Sequence, residues 1–254
     1  MNELKVSPKG RVAFVSGASR GIGRAITIEL LEAGAKKVYA GVRKARVLDD
    51  LKAEYGTRLV PVLLDLRDDR SIIKATRSIK DVEILINNAG VYESGGFFSD
   101  DTLDSMAVNF EVNVWGLVKL TLSSIDHLKN KSNAAIVNIS SVLGLASMPI
   151  SGAYSASKAA VHSITQGMRG ELLNTNILVM GVYPGPIDTD MIRDLELDKD
   201  LPQNVAQNIV KGLKDGKEYV FPDMMSKQVG ELYLTEPVTV EKQFAHFISA
   251  EEEV

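Results

Sequence analysis

Short, largely apolar runs alternate with longer amphipathic segments along most of the chain. The apolar runs lie at residues 12–16, 37–42, 60–64, 82–86, 134–139 and 177–182, and a shorter one lies at 219–221. Runs of this kind are typical of strands buried on both faces of a parallel sheet. The segments between them carry apolar residues at helical spacing, so the pattern predicts an α/β fold with helices on both faces of that sheet.

The predicted helices and the C-terminal residues indicate how the domain is organised. Helical spacing is found at residues 24–33, 71–79, 103–128 and 205–213, and it begins again at Tyr154. We expect residues 1–254 to form one domain, in which residues 187–215 cover a substrate pocket and residues 222–254 are a C-terminal extension. The acidic residues 251–253 are expected to be solvated.

A glycine-rich turn joins the first predicted strand to the first predicted helix. Gly17, Gly21 and Gly23 are spaced Gly-x-x-x-Gly-x-Gly, which differs from the commoner Gly-x-Gly-x-x-Gly fingerprint. Glycines let the backbone approach a pyrophosphate closely, and the N-terminus of the following helix favours its negative charge. The turn could also be no more than a tight connection. We predict a dinucleotide site formed by Gly17, Ser19, Arg20, Gly21, Ile22 and Gly23.

The end of the second strand indicates which dinucleotide is preferred. An NAD site usually places an acidic residue there, for the ribose hydroxyls, whereas this chain has Arg43. A guanidinium group suits a 2′-phosphate, and Arg20 could reach the same phosphate. Arg43 could instead open a solvated helix within the basic cluster at residues 43–46. The sequence therefore favours NADP over NAD.

Polar or small residues also follow the other predicted strands. The carboxyl ends of parallel strands meet at one edge of a sheet, where such folds bind their ligands. Each of these segments could also be plain turn or loop chemistry, and Asp65 could cap a turn rather than accept from an adenine amino group. As cofactor contacts we predict Asp65, Leu66, Asn88, Ala89, Gly90, Pro184, Gly185, Ile187 and Thr189, the last two beside a nicotinamide amide.

Ser141, Tyr154 and Lys158 are the candidate reactive residues. Ser141 follows a predicted strand, and Lys158 comes four residues after Tyr154 at the start of a helical segment, so the two side chains share one face. An ammonium group near a phenol lowers the phenol's pKa and eases proton exchange with a substrate oxygen. By itself, a Tyr-x-x-x-Lys pair is more often a contact on a helix surface.

Composition excludes several classes of protein. The net charge of −4, without a run of Lys and Arg, argues against a nucleic-acid surface. The absence of cysteine excludes thiol catalysis, and three histidines lie too far apart in sequence to suggest a metal site. The N-terminal residues lack the apolar core of a signal peptide and no apolar run is long enough to cross a bilayer, so we expect a cytoplasmic protein without a metal.

Taken together, these motifs resemble the short-chain dehydrogenase/reductase family from about residue 10 to about residue 191. The resemblance implies a Rossmann-type doubly wound sheet of seven strands, mainly parallel, in the order 3-2-1-4-5-6-7. Tyr154 would be the catalytic acid or base and Ser141 would orient the carbonyl. Lys158 would lower the tyrosine pKa and bind the nicotinamide ribose, and Asn113 would hold a water in a proton relay. Arg20 and Arg43 match the NADP-preferring branch.

The resemblance also implies an activity and a mode of assembly. We expect NADPH-dependent reduction of a hydrophobic ketone or aldehyde; the alternatives are an NAD-linked alcohol dehydrogenase and a non-catalytic NADP-binding regulatory protein. A homodimer through the helices carrying Asn113 and Tyr154, or a monomer, is expected, and a tetramer is not, because the Gly-Gly segment often used to build it is missing. The predicted pocket walls are Tyr92, Leu143, Leu145, Met148, Tyr183, Met191 and Ile192.

Overall fold

A computed structural model describes residues 4–247 and contains the predicted parallel sheet. Its strands are β1 (Val12–Ser16), β2 (Lys37–Val42), β3 (Leu59–Leu63), β4 (Ile84–Asn87), β5 (Ala134–Ile139), β6 (Ile177–Val182) and β7 (Tyr219–Val220). They lie in the order β3-β2-β1-β4-β5-β6-β7, and every neighbouring pair is parallel. The predicted strand order is confirmed.

The helices follow the strands in the predicted alternation. They are α1 (Gly21–Glu32), α2 (Asp49–Tyr55), α3 (Asp69–Ser78), α4 (Thr102–Phe110), α5 (Leu117–Lys129), α6 (Gly152–Glu171), α7 (Pro202–Asp215), α8 (Met224–Thr235) and α9 (Pro237–Ala245). The segment predicted as helical over residues 103–128 is helical throughout, as α4 and α5. A wide π-helical turn, Glu111–Gly116, joins the two.

Side chains of the sheet alternate between two apolar cores. In β1, Ala13 and Val15 pack with α1 and α7, whereas Phe14 faces the opposite side with residues of α3 and α5. Because successive side chains of a strand point to opposite faces, a strand covered by helices on both sides is apolar at nearly every position, and in β1 only the last residue, Ser16, is polar. This explains why β1 is buried along its whole length.

The C-terminal extension, as far as residue 247, forms α8 and α9. Val229 of α8, with Val240 and Phe244 of α9, packs on Val142, in the short turn that follows β5. The predicted solvated tail, residues 251–253, lies outside the described residues. Within residues 4–247, no helix combines the length and the apolar character needed to cross a bilayer.

Candidate active site

A cleft of about 400 Å³ lies at the carboxyl edge of the sheet, where the predicted site residues meet. The strand ends of β1 to β6 all contribute to its lining. Every predicted cofactor contact lines it: Gly17, Ser19, Arg20, Gly21, Ile22, Gly23, Arg43, Asp65, Leu66, Asn88, Ala89, Gly90, Tyr154, Lys158, Pro184, Gly185, Ile187 and Thr189. Ser141 also lines the cleft, whereas Asn113 stands behind its wall.

The glycine turn has the backbone geometry that its sequence suggests. Gly17 and Gly21 adopt positive φ angles of 69° and 54°, which residues with a side chain rarely adopt. A Cβ atom on Gly23 would stand 2.3 Å from the Gly17 carbonyl oxygen. The Arg20 side chain does not cap α1, and the first turn of α1 carries no acidic residue. The free N–H groups of this turn therefore fit an anionic pyrophosphate.

Hydrogen bonds tie the end of β4 to the glycine turn. The Asn88 side-chain amide donates to the carbonyl oxygens of Ser16, at 2.9 Å, and Gly17, at 3.3 Å. The Ser16 hydroxyl accepts from the backbone N–H groups of Asn88 and Ala89, both at 3.0 Å. The sequence interpretation missed Ser16, although its position as the last residue of β1 was the available signal. Asn88 therefore shapes the cofactor cleft as well as lining it.

Charged residues gather at the other end of the cleft. Arg20 forms an ion pair with Asp190 at 3.1 Å, and Arg193 contacts the same carboxylate. Arg43 and Arg67 also line the cleft, and both are exposed. Asp65 accepts from the Arg67 backbone N–H at 3.0 Å, so it shapes a turn while also lining the cleft. This end of the site therefore combines exposed guanidinium groups with an open position for an anion.

Ser141, Tyr154 and Lys158 come together deeper in the cleft. Tyr154 lies in the first turn of α6, and the Lys158 Nζ atom is 5.6 Å from the centroid of its ring. The Lys158 ammonium donates to the Ile139 carbonyl oxygen at 2.9 Å. The Ser141 hydroxyl donates to the Pro184 carbonyl oxygen at 3.3 Å and accepts from the Leu143 N–H at 3.1 Å. One hydroxyl, one phenol and one buried cation therefore face the same space.

Burial dominates the proton affinities of this group. It raises the pKa of Tyr154 above that of an ordinary tyrosine, and nearby Tyr92 acts in the same direction; a hydrogen bond with Ser141 opposes them. Burial lowers the pKa of Lys158 to about 8. The expected lowering of the Tyr154 pKa by Lys158 is therefore not found. Burial is the largest influence on this pKa, and the Lys158 ammonium donates to the Ile139 carbonyl oxygen. Tyr154 keeps its proton at neutral pH, as an acid must.

The Asn113 side chain joins two parts of the protein, and its place in a proton relay stays a prediction. It is buried in the π-helical turn, and its side-chain oxygen accepts from the Val91 N–H at 2.8 Å. Its amide group donates to the Val91 carbonyl oxygen and to the Ser157 hydroxyl, each at 3.0 Å. Both N–H bonds of the amide are thus engaged with protein atoms. Asn113 therefore links the loop after β4 to α6. The sequence interpretation missed Ser157, which accepts one of these hydrogen bonds.

The pocket wall beside Tyr154 differs from the prediction. Of the predicted residues, Met191 and Ile192 line the cleft, where Val91, Glu93, Val108 and Val112 accompany them.

Tyr183 is not part of the pocket wall, because none of its surface is exposed. Its hydroxyl lies 2.8 Å from Nδ1 of His162. Leu143 and Leu145 pack on the cluster of α8 and α9, and Tyr92 packs its ring on Tyr154. Met148 also lies outside the lining.

Known proteins share this arrangement. A family model described as short chain dehydrogenase matches residues 11–200. The 3-oxoacyl-(acyl-carrier-protein) reductase of Aquifex aeolicus is 32% identical over 216 residues, which span 82% of this chain and 86% of that protein. A short-chain dehydrogenase of Burkholderia cenocepacia, solved in complex with NADP, superposes with a TM-score of 0.87 at 32% identity, covering 94% of this chain and 99% of that one. One from Streptomyces avermitilis gives a TM-score of 0.80 at 26% identity, covering 91% and 98%.

The parallel sheet, the glycine turn and the Ser141, Tyr154 and Lys158 group define a dinucleotide-dependent oxidoreductase. More narrowly, the chain belongs to the short-chain dehydrogenase/reductase family, as the match over residues 11–200 shows.

The pKa of Lys158 predicts an alkaline limit on activity. Because burial lowers this pKa to about 8, the free enzyme loses the ammonium charge well before an ordinary lysine does. The charge is present below that pH and lost above it, so kcat/KM should fall as pH rises through about 8. Lys158→Arg keeps its positive charge above this pH, so the fall in kcat/KM with rising pH should disappear in that variant. A parent profile that stays level up to the ordinary lysine range would contradict the prediction.

Proposed function

We propose that the protein reduces a ketone or an aldehyde to an alcohol with NADPH. The observation that carries this proposal is a protonated phenol, Tyr154, placed with the Ser141 hydroxyl in the same cleft as an uncapped helix N-terminus. Reduction of a carbonyl consumes one hydride and one proton. NADPH, when bound, supplies the hydride, and the protein must therefore supply and direct the proton.

The chain's own residues divide the remaining work among them. The Ser141 hydroxyl turns from the Pro184 carbonyl to the substrate oxygen and orients it. Tyr154 transfers its phenolic proton to that oxygen as negative charge develops there. Lys158, fixed to the Ile139 carbonyl, binds the cofactor ribose, and its positive charge partly offsets the burial that disfavours the resulting phenolate. The alcohol leaves neutral, and solvent returns the proton to Tyr154.

Exposed arginines support NADP over NAD. Arg43 stands at the end of β2 and lines the cleft, where an NAD site would hold an acidic residue. Arg20 lines the same end and is oriented by Asp190. The Burkholderia structure, which was solved in complex with NADP, is consistent with this preference.

The character of the pocket supports an apolar, uncharged substrate. Val91, Val108, Val112 and Ile192 provide apolar surface in the cleft. Glu93 also lines the cleft, and it would repel a carboxylate-bearing substrate bound beside it. A hydrophobic ketone or aldehyde fits this combination.

The test is to follow NADPH consumption with a panel of aliphatic, aromatic and polycyclic carbonyls, with NADH in parallel. Turnover with NADPH on members of the panel supports the proposal. Turnover that is faster with NADH would favour the NAD-linked alternative. Tight NADPH binding without turnover on any carbonyl would favour the regulatory alternative.

Arg43→Ala should weaken NADPH binding roughly 10-fold and leave NADH binding unchanged, because only NADPH carries the 2′-phosphate. Arg46→Ala is the matched control, since Arg46 is an exposed arginine three residues on and lies outside the cleft lining. Fluorescence titration of both cofactors measures the effect. Equal weakening of NADPH and NADH by Arg43→Ala would contradict the assignment.

We also propose a homodimer that uses the helices carrying Asn113 and Tyr154. Its support is the apolar surface beside Asn113, where Trp115 and Leu122 have 56% and 66% of their surface exposed. Side chains of this kind are usual at the centre of a protein interface.

A further inference from the structure

A buried carboxylate lies behind the active site, at the start of the C-terminal helical pair. Asp223 is only 3% exposed and is the N-cap residue of α8. Its Oδ1 atom accepts from the Ser226 N–H at 2.8 Å, and the Ser226 hydroxyl accepts from the Asp223 N–H at 3.0 Å. This reciprocal pair is a capping box, and it uses only one of the two carboxylate oxygens.

The second oxygen of Asp223 reaches the active-site loop. Oδ2 accepts from the Gly185 N–H at 2.9 Å. The contact is so close that a Cβ atom on Gly185 would stand 2.8 Å from Asp223 Oδ1. The neighbouring Pro184 carbonyl oxygen accepts from the Val142 N–H at 3.0 Å and from the Ser141 hydroxyl at 3.3 Å. A continuous set of hydrogen bonds thus runs from Asp223 through the Pro184–Gly185 backbone to Ser141.

Apolar packing supports the same turn from the same side. Val142, directly after Ser141, is 2% exposed and packs in one cluster with Val229, Val240 and Phe244. The C-terminal helices therefore contact the Ser141 turn by packing, while Asp223 fixes the loop to which Ser141 is hydrogen-bonded.

We infer that Asp223 is a positioning residue, which sets the Gly185 backbone for the cofactor and, through Pro184, the Ser141 hydroxyl for the carbonyl. The inference rests on the proposed carbonyl reduction. A helix cap needs one acceptor oxygen, whereas Asp223 uses two, one for the cap and one for Gly185. Only a carboxylate supplies two acceptor oxygens on one side chain. A charged acceptor also forms stronger hydrogen bonds with N–H groups than a neutral one does.

The test compares Asp223→Asn and Asp223→Ser with Ser226→Ala. Asparagine keeps the shape but has a single acceptor oxygen, and serine retains an N-cap but is too short to reach Gly185 as well. Ser226→Ala weakens the same cap while leaving the carboxylate bond to Gly185 in place. We expect both Asp223 variants to lower kcat roughly 10- to 100-fold at saturating NADPH and to weaken NADPH binding severalfold. Ser226→Ala should lower the unfolding temperature with unchanged kinetic constants.

The outcomes separate positioning from plain stabilisation. If the Asp223 variants fold and keep the parent's kcat and NADPH affinity, the inference is overturned, whatever their unfolding temperatures. If neither variant folds, hydrogen exchange of the Gly185 amide in the unsubstituted chain decides: protection supports the anchor, and exchange as fast as in an exposed loop overturns it. Should the parent reduce no carbonyl, the proposed function fails, but the NADPH titration still tests Asp223.

Discussion

Tyr154→Phe is expected to lower turnover roughly 1000-fold while NADPH binding stays close to that of the parent. Phenylalanine keeps the aromatic ring that packs on Tyr92 with centroids 5.0 Å apart, but it has no proton to give. Burial holds the pKa of Tyr154 high, so the phenol is the protonated group available to the substrate at neutral pH. Single-turnover measurement of NADPH oxidation, with a parallel fluorescence titration, separates chemistry from binding.

Tyr92→Phe is the matched control for that substitution. The Tyr92 hydroxyl lies 2.8 Å from the Ser151 hydroxyl and gives no proton to the substrate in the proposed reaction, so its removal should leave most of the turnover. Substantial turnover in Tyr154→Phe, or an equal loss in the two variants, would remove Tyr154 from the role of acid.

Gly23→Ala is expected to have the largest effect on the cofactor site itself. The added methyl group would meet the Gly17 carbonyl oxygen at 2.3 Å and the Asn88 amide nitrogen at 2.4 Å. The first contact is with the backbone, which cannot turn aside as a flexible side chain could. We expect a loss of about 3 kcal/mol in the free energy of unfolding and NADPH binding weakened by at least 10-fold, because the N-terminus of α1 must shift.

Gly167→Ala provides the control for a glycine in a helix of the same protein. Gly167 lies in α6, where an added Cβ meets nothing within 4 Å, so alanine should stabilise the chain by about 0.5–1 kcal/mol. Denaturant unfolding and NADPH titration measure both variants. The close-packing argument fails if Gly23→Ala binds NADPH as tightly as the parent does.

The sequence contained enough information to predict the sheet and most of the cofactor cleft. β1 and β5 are buried on both faces, so nearly all of their residues are apolar and they could be recognised as single runs; Ser16 and Asn138 are the polar exceptions. Parallel pairing then places every strand end at one edge. The glycines at 17, 21 and 23 and the segments at 88–90 and 184–189 therefore meet without any knowledge of their side-chain contacts.

Contacts between distant parts of the chain could not be predicted in this way. A π-helical turn keeps apolar residues on nearly the same face as an α-helix does. The π-helical turn at Glu111–Gly116 therefore changes the spacing of apolar residues too little to be predicted from the sequence. The partner of Asn113 is the backbone of Val91, and any residue type at that position offers the same backbone groups. Tyr183 was misplaced because its burial depends on pairing with His162 and on packing against Phe221.

The support of the Ser141 turn by α8 and α9 has a consequence for how the enzyme is made. All residues that line the cleft precede residue 193, whereas the supporting helices begin at Met224. Since chains are synthesised from the N-terminus, every residue of the cleft lining leaves the ribosome before the helices that support the Ser141 turn. A chain that ended before Asp223 would hold all of these lining residues but would lack both supports of that turn, the carboxylate and the apolar packing.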